Sequence, residues 1–363
     1  MPDDTLDPGE LVAQLPYALG FYPRTETVVV VSDATSRRLW DFPPDHPAVE
    51  VAAAIPPRCP DPDRTRVTPL VYAGQVDFSV ELDASDLATA LTAHFASVDS
   101  PLIVTPAGWR HAVDCPQRCC APDDTLNAAV LPPALAHEAA TKWPTPMPHR
   151  ADLAGYFTSD PLQRTLLTAA RAPAARQQRT AILSAGSPAA WRHAATAQAW
   201  THLTDTGTTA PTVAARTLLQ LQDTYVADAI VLRILADATA AGDQAMVRLR
   251  ELCRAAPNDL ATTALSAWAH AAAARGDTPR AFTAIHRAQT LSPRHNPTSV
   301  LRRLLIAGVE PDDLAAVRLP EASLLNTPEP ISPAVVSTVG DPGGPPPLPP
   351  AAGPPPPAPG RSR

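Results

Sequence analysis

Three of the five cysteines of the 363-residue chain lie close together in the stretch WRHAVDCPQRCCAP, residues 109–122. Cys115, Cys119 and Cys120 supply three of the four ligands that a tetrahedral zinc site needs. Their C-x3-C-C spacing differs from the paired C-x2-C of common zinc sites. His111 is the nearest fourth ligand, but four residues of extended strand span about 13 Å. His111 therefore reaches the ion only if the chain folds back at Pro116.

The same cysteines have three other interpretations: buried structural thiols, a redox-labile pair and a catalytic thiolate. A nucleophilic cysteine needs a base and an electropositive surrounding, and the sequence identifies neither. A reduced cysteine packs as a small hydrophobic residue, and permanent disulfides are rare in the cytosol. We therefore expect a structural loop with no catalytic residue and no cofactor. Zinc bound by Cys115, Cys119 and Cys120 is the alternative.

Other patterns that carry chemistry are weak in this sequence. It contains no Walker loop, no dinucleotide-binding glycine pattern, no G-x-S-x-G and no H-E-x-x-H. The turn LGFYPRTE, residues 19–26, holds two chemically active side chains, Arg24 and Glu26. Loops at sheet edges often carry binding sites, but a glycine-capped turn set by proline is the preferred interpretation.

The composition limits the class of protein. The net charge is −7 and the basic residues are scattered, which argues against nucleic-acid binding because such proteins present a basic face. No apolar run approaches the roughly 18 residues of a membrane helix, and the acidic N-terminus lacks the pattern of a signal peptide. We therefore expect a cytoplasmic protein that binds no membrane.

Residues 1–150 have the pattern of an α/β domain. Asp7 and Pro8 fit the first positions of a helix, and Gly20 fits its end. The valine run of Thr27–Ser32 suits a strand buried on both faces. Further strand candidates are Val67–Ala73, the alternating Gln75–Leu82, Leu102–Thr105, and a strand at Trp109 that follows a turn at Ala107-Gly108.

These elements predict a small sheet with helices packed on it. One of these helices is expected to begin at Ser85 and to bury Leu87, Leu91 and Phe95. The proline-rich stretch 40–66 has no assignment.

Residues 151–318 change to a helical pattern. The pairs Gly242-Asp243 and Gly276-Asp277 are 34 residues apart, and each is followed by a helical segment that ends near a proline. A 34-residue period is that of the tetratricopeptide repeat, and Gly207 marks a weaker third unit. The last part, 319–363, contains PPPLPP and PPPPAP and is expected to be disordered, since it buries too little apolar surface.

Three blocks of the sequence resemble a known family. LVAQLPYALGFYPRTETVVVV (11–31) carries a Pro-Tyr-x-Leu-Gly-Phe-x-Pro pattern at Pro16, Tyr17, Leu19, Gly20, Phe21 and Pro23. The cysteine stretch and the helical hairpin LSAWAHAAAARGDTPRAFTAIHRAQTLSP (265–293) complete the likeness. Together they resemble the domain of unknown function 4192. The resemblance implies an intracellular actinobacterial protein of α/β and α-helical build, and it implies no reaction.

These features favour a non-enzymatic, protein-binding or regulatory protein with a protein partner. The helical repeats and the proline-rich tail support that hypothesis. The alternative is an enzyme or small-molecule sensor with its site on the α/β domain near the cysteine loop. A deep polar pocket beside the first strand would favour the alternative.

The cysteine stretch generates a first prediction. Protein purified without chelator should contain well below one equivalent of zinc by elemental analysis, because the three thiols are expected to be structural. One bound zinc per chain, lost when Cys119 and Cys120 are replaced by serine, would contradict this.

Overall fold

The computed structural model describes residues 7–33, 37–44, 46–55, 64–112, 126–141, 144–207, 209–237, 239–307, 309, 311–316, 321–327, 329–331 and 335. The strands in this part are β1 (Thr27–Ser32), β2 (Arg37–Phe42), β3 (Arg66–Tyr72), β4 (Ser97–Val98), β5 (Leu102–Thr105) and β6 (Gly108–His111). The helices that accompany the sheet are α1 (Pro8–Leu19), α2 (Ala48–Ala54), α3 (Phe78–Thr92), α4 (Pro133–Thr141) and α5 (Arg150–Ala154).

A helical part follows. Its helices are α6 (Pro161–Ser184), α7 (Pro188–Thr204), α8 (Pro211–Gln220), α9 (Thr224–Ala236), α10 (Ala240–Ala255), α11 (Asn258–Ala274), α12 (Thr278–Leu291), α13 (Asn296–Ile306), α14 (Pro311–Ala316) and α15 (Glu321–Leu325). A 3-10 turn, Gly155–Phe157, leads into it. No helix of the described residues is both long and apolar enough to cross a membrane.

The strands form one mixed sheet in the order β2-β1-β3-β5-β6, with β4 paired to β3. β1 is antiparallel to both β2 and β3, whereas β5 runs parallel to β3. The predicted turn at Ala107-Gly108 joins β5 to β6 as an antiparallel hairpin, in which Thr105 pairs with Gly108. The small sheet with packed helices is thus confirmed.

β1 is buried on both faces, as its valine run predicts. Val28 and Val30 belong to the apolar layer under α1, and Val29 and Val31 to the opposite layer under α2 and α3. Each of the four valines is at most 4 % exposed, so each contributes roughly 1.5 kcal/mol or more through burial. The strand therefore joins two cores that lie on opposite faces of one sheet.

The alternating segment Gln75–Leu82 is not a strand, which corrects the sequence-based prediction. It contains the start of α3, whose N-cap is Asp77 and not Ser85. The Asp77 carboxylate accepts a hydrogen bond from the Val80 amide at 3.1 Å. Capping of this kind starts a helix, and the alternation of apolar residues is incidental, since Phe78 is 78 % exposed.

The unassigned stretch 40–66 contributes the end of β2 and all of α2. β2, with the sequence RRLWDF, forms the edge of the sheet beside β1. Val51 and Ile55 of the α2 region are buried against the sheet. Proline density concealed these elements, because prolines at and beyond the ends of a helix or strand still allow the element to form.

The helical part is built around α11. Its Trp268 donates its indole N–H to the Met246 carbonyl at 3.0 Å and packs edge-on against Phe157, with ring centroids 4.9 Å apart. Twelve residues of α11 are buried, most of them alanine. Small side chains let α9, α10, α12 and α13 approach this helix.

The two glycine-aspartate pairs have different positions. Gly276 and Asp277 lie in the turn between α11 and α12, as predicted, and Asp277 caps α12. Gly242 and Asp243, in contrast, lie within the first turn of α10, because Thr239 caps that helix earlier. A Cβ on Gly242 would meet the Asp237 carbonyl oxygen at 2.2 Å. Gly242 therefore allows the close approach of α10 to the end of α9.

The expected disorder from residue 319 is wrong for part of this segment. α15 packs on α9 and α7, with Leu325 fully buried. Glu321 forms an ion pair with Arg233 at 2.7 Å. Farther along, Ile331 and Val335 pack against the helical part. Proline content alone misled the prediction, because aliphatic side chains between the prolines supply the buried surface. The residues of 319–363 other than 321–327, 329–331 and 335 lie outside the described ones.

The sheet and the helical part contact each other through the LGFYPRTE turn. Gly20 ends α1 with φ 78°, and a Cβ at this position would meet Pro279 of α12 at 2.5 Å. Phe21 forms a β-bridge with Met147. Arg280 donates a hydrogen bond to the Thr145 carbonyl at 2.8 Å. Two of the blocks that resemble the family, residues 11–31 and 265–293, thus contact each other.

This contact generates a prediction for glycine substitutions. Gly20→Ala should lower the free energy of unfolding by about 2–3 kcal/mol, because it adds a left-handed backbone cost to a clash with Pro279. Gly186 has φ 72° but no atom within 4 Å of its Cβ position. Gly186→Ala is the matched control and should cost only about 1 kcal/mol. The free energy of unfolding is measured by urea denaturation. Equal losses for the two variants would show that the contact with Pro279 contributes nothing to stability.

Candidate functional site

The three candidate zinc ligands, Cys115, Cys119 and Cys120, lie outside the described residues. The described chain stops at Ala112 and resumes at Leu126, and Asn127 exchanges two backbone hydrogen bonds of 2.8 Å with Trp109 of β6. Among the described residues, no group of three His, Cys, Asp or Glu side chains has the arrangement of a metal site. The structural and zinc interpretations of the cysteine stretch, and the alternative function beside it, stay predictions.

Cys253 is fully buried in the core of the helical part. Burial raises the pKa of its thiol, although the positive charge of Arg287 acts in the opposite direction. A protonated, buried thiol is a poor nucleophile. Cys253 is therefore a packing residue.

The LGFYPRTE turn has the predicted structural features. Gly20 is the left-handed cap of α1, and Phe21 is 2 % exposed. The Glu26 carboxylate accepts hydrogen bonds from the backbone amides of Arg24 and Thr25, at 2.6 and 3.1 Å. Glu26 therefore holds its own turn together.

An ion pair lies beside β1, near Glu26. Asp41 of β2 forms a 3.0 Å ion pair with Arg150 of α5. Burial raises the pKa of Asp41, while the Arg150 charge lowers it and the Glu26 charge raises it. Burial, with Glu26 nearby, likewise raises the pKa of the Tyr72 hydroxyl. The ion pair is partly exposed and ties α5 to the edge of the sheet, with a contribution to stability of about 1 kcal/mol or less.

Arg192 of α7 and Asp223, the N-cap of α9, form the most deeply buried ion pair of the described residues. Their side chains are 0 % and 1 % exposed. The guanidinium donates from Nε to Oδ1 at 3.1 Å and from one Nη to Oδ2 at 3.2 Å. Asp223 also accepts from the amides of Tyr225 and Val226. Both charges are thus neutralised and hydrogen-bonded, as burial requires.

The remaining donors of Arg192 bind the backbone of the C-terminal segment, which we define as the described residues of 326–335, beyond the end of α15. They reach the carbonyl oxygens of Thr327 at 3.2 Å, Glu329 at 3.0 Å and Pro330 at 3.2 Å. The guanidinium also lies over the Tyr225 ring, 4.5 Å from its centroid, where a cation–π attraction adds to the hydrogen bonds. One side chain therefore holds the carbonyls of three residues that follow α15 and are not helical.

Side chains extend this attachment on both sides. The Tyr225 hydroxyl donates a hydrogen bond to the Glu329 carboxylate. Val335 is 3 % exposed and forms an apolar cluster with Trp191, Ala195 and Val226, against which Ile331 packs. We call the surface formed by Trp191, Arg192, Asp223, Tyr225 and Val226 the Arg192 site.

No pattern in the sequence predicts the Arg192 site. Arg192 follows a tryptophan on an alanine-rich helix, and Asp223 resembles an ordinary cap. A buried arginine is recognisable only from its surroundings, since 31 residues separate it from its carboxylate and 135 or more from its carbonyl partners.

A concave feature of the helical part, the helical cleft, lies between α9, α11 and α13 and has a volume of about 250 Å³. Its lining combines small and hydroxyl-bearing residues with two histidines: Thr224, Ala227, Asp228, Thr263, Ser266, Ala267, His270, His295, Asn296, Pro297, Val300, Leu301 and Leu304. His295 caps α13 through its Nδ1, and burial lowers the pKa of its imidazole. The cleft thus presents hydroxyl, amide, imidazole and carboxylate groups beside an apolar wall.

Residues 8–312 match the family described as Domain of unknown function (DUF4192), so the chain belongs to that family. No curated protein and no solved structure matches the chain. The matched region includes both the sheet and the helical cleft, and it includes the Arg192 site but not the C-terminal segment bound there.

One buried histidine of α7 generates a prediction for pH dependence. His202 is 5 % exposed and lies between the hydroxyls of Thr217, at 2.8 Å from Nδ1, and Thr209, at 3.2 Å from Nε2. Burial and the charges of Arg248 and Arg216 outweigh Asp205 and lower the pKa of His202 to about 4.

Because protonation favours the unfolded chain, the stabilising effect is complete above the unfolded pKa of about 6.5 and is lost as the pH falls toward 4. The expected loss is on the order of 3 kcal/mol in the free energy of unfolding. His202→Gln should flatten the curve of stability against pH in this range. His193→Gln, a change to an exposed histidine of the same helix, is the control. Identical curves for the two variants would contradict the prediction.

Proposed function

We propose that this chain is a cytoplasmic protein-binding or regulatory protein that acts through its helical part. The observation that carries the proposal is the helical cleft, which three helices line side by side. α9, α11 and α13 alternate along the chain with α10 and α12, so that every second helix contributes to one concave surface. Surfaces of this kind are what stacked helical hairpins present to protein partners.

The helical part is tetratricopeptide-like in this proposal. α9 and α11 begin at Thr224 and Asn258, one 34-residue period apart. α10 packs on both α9 and α11, and α12 packs on both α11 and α13. This order of contacts, in which the second helix of one hairpin touches the first helix of the next, supports a short repeat array. α6, α7 and α8 support its N-terminal side, since α7 contacts α9 and α10.

The chemistry of the helical cleft suits a polypeptide segment. Thr224, Thr263 and Asn296 offer uncharged hydrogen-bonding groups at its edges, and these can pair with backbone N–H and C=O groups of a partner. Val300 and Leu304 form an apolar wall for one or two side chains. We therefore propose that a short stretch of a partner protein binds along α11.

Two exposed valines allow a matched test. Val300 on α13 lines the cleft and is 37 % exposed, whereas Val247 on α10 is 48 % exposed and lies outside the cleft lining. Val300→Arg should reduce the amount of partner recovered from the native host by about tenfold, a loss typical of a disturbed interface centre. Val247→Arg should leave recovery unchanged, because it adds the same charge elsewhere.

The measurement is quantitative mass spectrometry of proteins cross-linked to each tagged chain. Circular dichroism establishes that both variants keep their helices. Equal recovery with both variants, or no protein enriched above a tag-only sample, would exclude the cleft as the binding surface.

A further inference from the structure

We propose that the Arg192 site is a peptide-docking site for a partner protein, and that the C-terminal segment occupies it as an internal ligand. The partner contributes a non-helical stretch with an acidic side chain followed by a proline. Aliphatic side chains lie two and six residues after the acid. The Arg192 site shares no residue with the lining of the helical cleft, although both use the first turn of α9, so the inference is tested independently of the proposed function.

The hydrogen-bonding capacity of Arg192 defines the first part of the ligand. A guanidinium has five N–H donors, and two of them bind Asp223. The other three bind the carbonyls of Thr327, Glu329 and Pro330. Because Asp223 already neutralises the charge, the three remaining donors suit neutral carbonyls better than a second anion. Carbonyls at this spacing require an irregular backbone. Because every residue has a backbone carbonyl, these three hydrogen bonds do not select a particular sequence.

Side chains supply the selectivity. Tyr225 donates to the carboxylate of Glu329, which defines the acidic position. Proline at 330 leaves its carbonyl free for Arg192 and has no N–H that would need a partner of its own. Ile331 and Val335 then cover the apolar surface of Trp191, Ala195 and Val226. The ligand pattern is therefore Glu-Pro-Ile, with a further aliphatic residue four positions after the isoleucine.

The helices organise the receptor side without help from the ligand. Asp223 is fixed as the cap of α9 by two backbone amides, and it in turn orients Arg192 through two hydrogen bonds. Both residues lie inside the matched family region 8–312, whereas the bound segment lies beyond it. A preformed site filled by a separate, irregular segment is the arrangement expected of an internal ligand, because little reorganisation is needed when another peptide replaces it.

Covalent attachment gives the internal ligand an advantage over a partner. A tethered segment acts at an effective concentration in the millimolar range, so a free peptide of the same sequence binds the intact chain weakly. Weakening the internal contacts should expose the site. The full chain with Glu329→Lys and Val335→Asp changes only the ligand side and leaves Arg192, Asp223 and Tyr225 intact.

The test uses a fluorescein-labelled peptide with the sequence NTPEPISPAVV, residues 326–336. Its dissociation constant is measured by fluorescence anisotropy for the wild-type chain and for the Glu329→Lys/Val335→Asp chain. We expect saturable binding to the double variant that is at least about tenfold tighter than binding to the wild type, because the internal competitor is removed. A peptide carrying the same two substitutions should bind the double variant at least about tenfold more weakly.

Two further chains test the assignment of the contacts. Tyr225→Phe in the double-variant background should remove the preference for the peptide with glutamate over one with glutamine at position 329. Val300→Arg in that background should leave peptide binding unchanged, which separates this site from the helical cleft.

Three results would overturn the inference. The first is the absence of saturable binding to the double variant, and the second is equal binding of the original and the substituted peptide. The third is a loss of helical circular dichroism in the double variant, which would make the C-terminal segment an integral part of the core and not a ligand.

Discussion

A guanidinium that is withdrawn from water must place each of its five N–H groups on an acceptor, and this requirement determines how the helical part is closed. Asp223 satisfies two donors of Arg192, and three carbonyls of the C-terminal segment satisfy the rest. Removal of one partner from such a buried pair commonly costs about 3–5 kcal/mol. The position of α7, the start of α9 and the positions of Thr327, Glu329 and Pro330 are therefore linked through one side chain.

The sheet and the helices are joined by a different kind of constraint, which is steric. Gly20 gives α1 its left-handed end and leaves room for Pro279 at the start of α12. Arg280, the next residue, donates to the Thr145 carbonyl, and its guanidinium lies 5.3 Å from the centre of the Tyr156 ring. The LGFYPRTE turn thus owes its residue types to the packing of two parts of the chain. The packing against Pro279 explains why position 20 is a glycine, and no bound ligand is needed to explain it.

The helical cleft and the Arg192 site differ in the groups that they could present to a partner. The helical cleft lies between α9, α11 and α13, and its lining combines hydroxyl, imidazole and carboxylate side chains with an apolar wall. The Arg192 site has a neutralised arginine at its centre and an apolar surface beside it. Both lie in the region that belongs to the DUF4192 family. We propose protein binding for both surfaces, each with its own peptide ligand.

Local chemistry made part of this protein predictable from its sequence. The four valines of β1 required burial on two faces, Asp7 and Gly20 delimited α1, and Gly276-Asp277 marked the turn into α12. Each of these signals depends on neighbours in the chain. Asp77 was missed as the start of α3 because period-two alternation and a capped helix compete over the same few residues. The Arg192 site and the Gly20–Pro279 contact were decided by the tertiary structure alone, since their partners are far apart in sequence and a buried charge becomes recognisable only when its acceptors have been assembled around it.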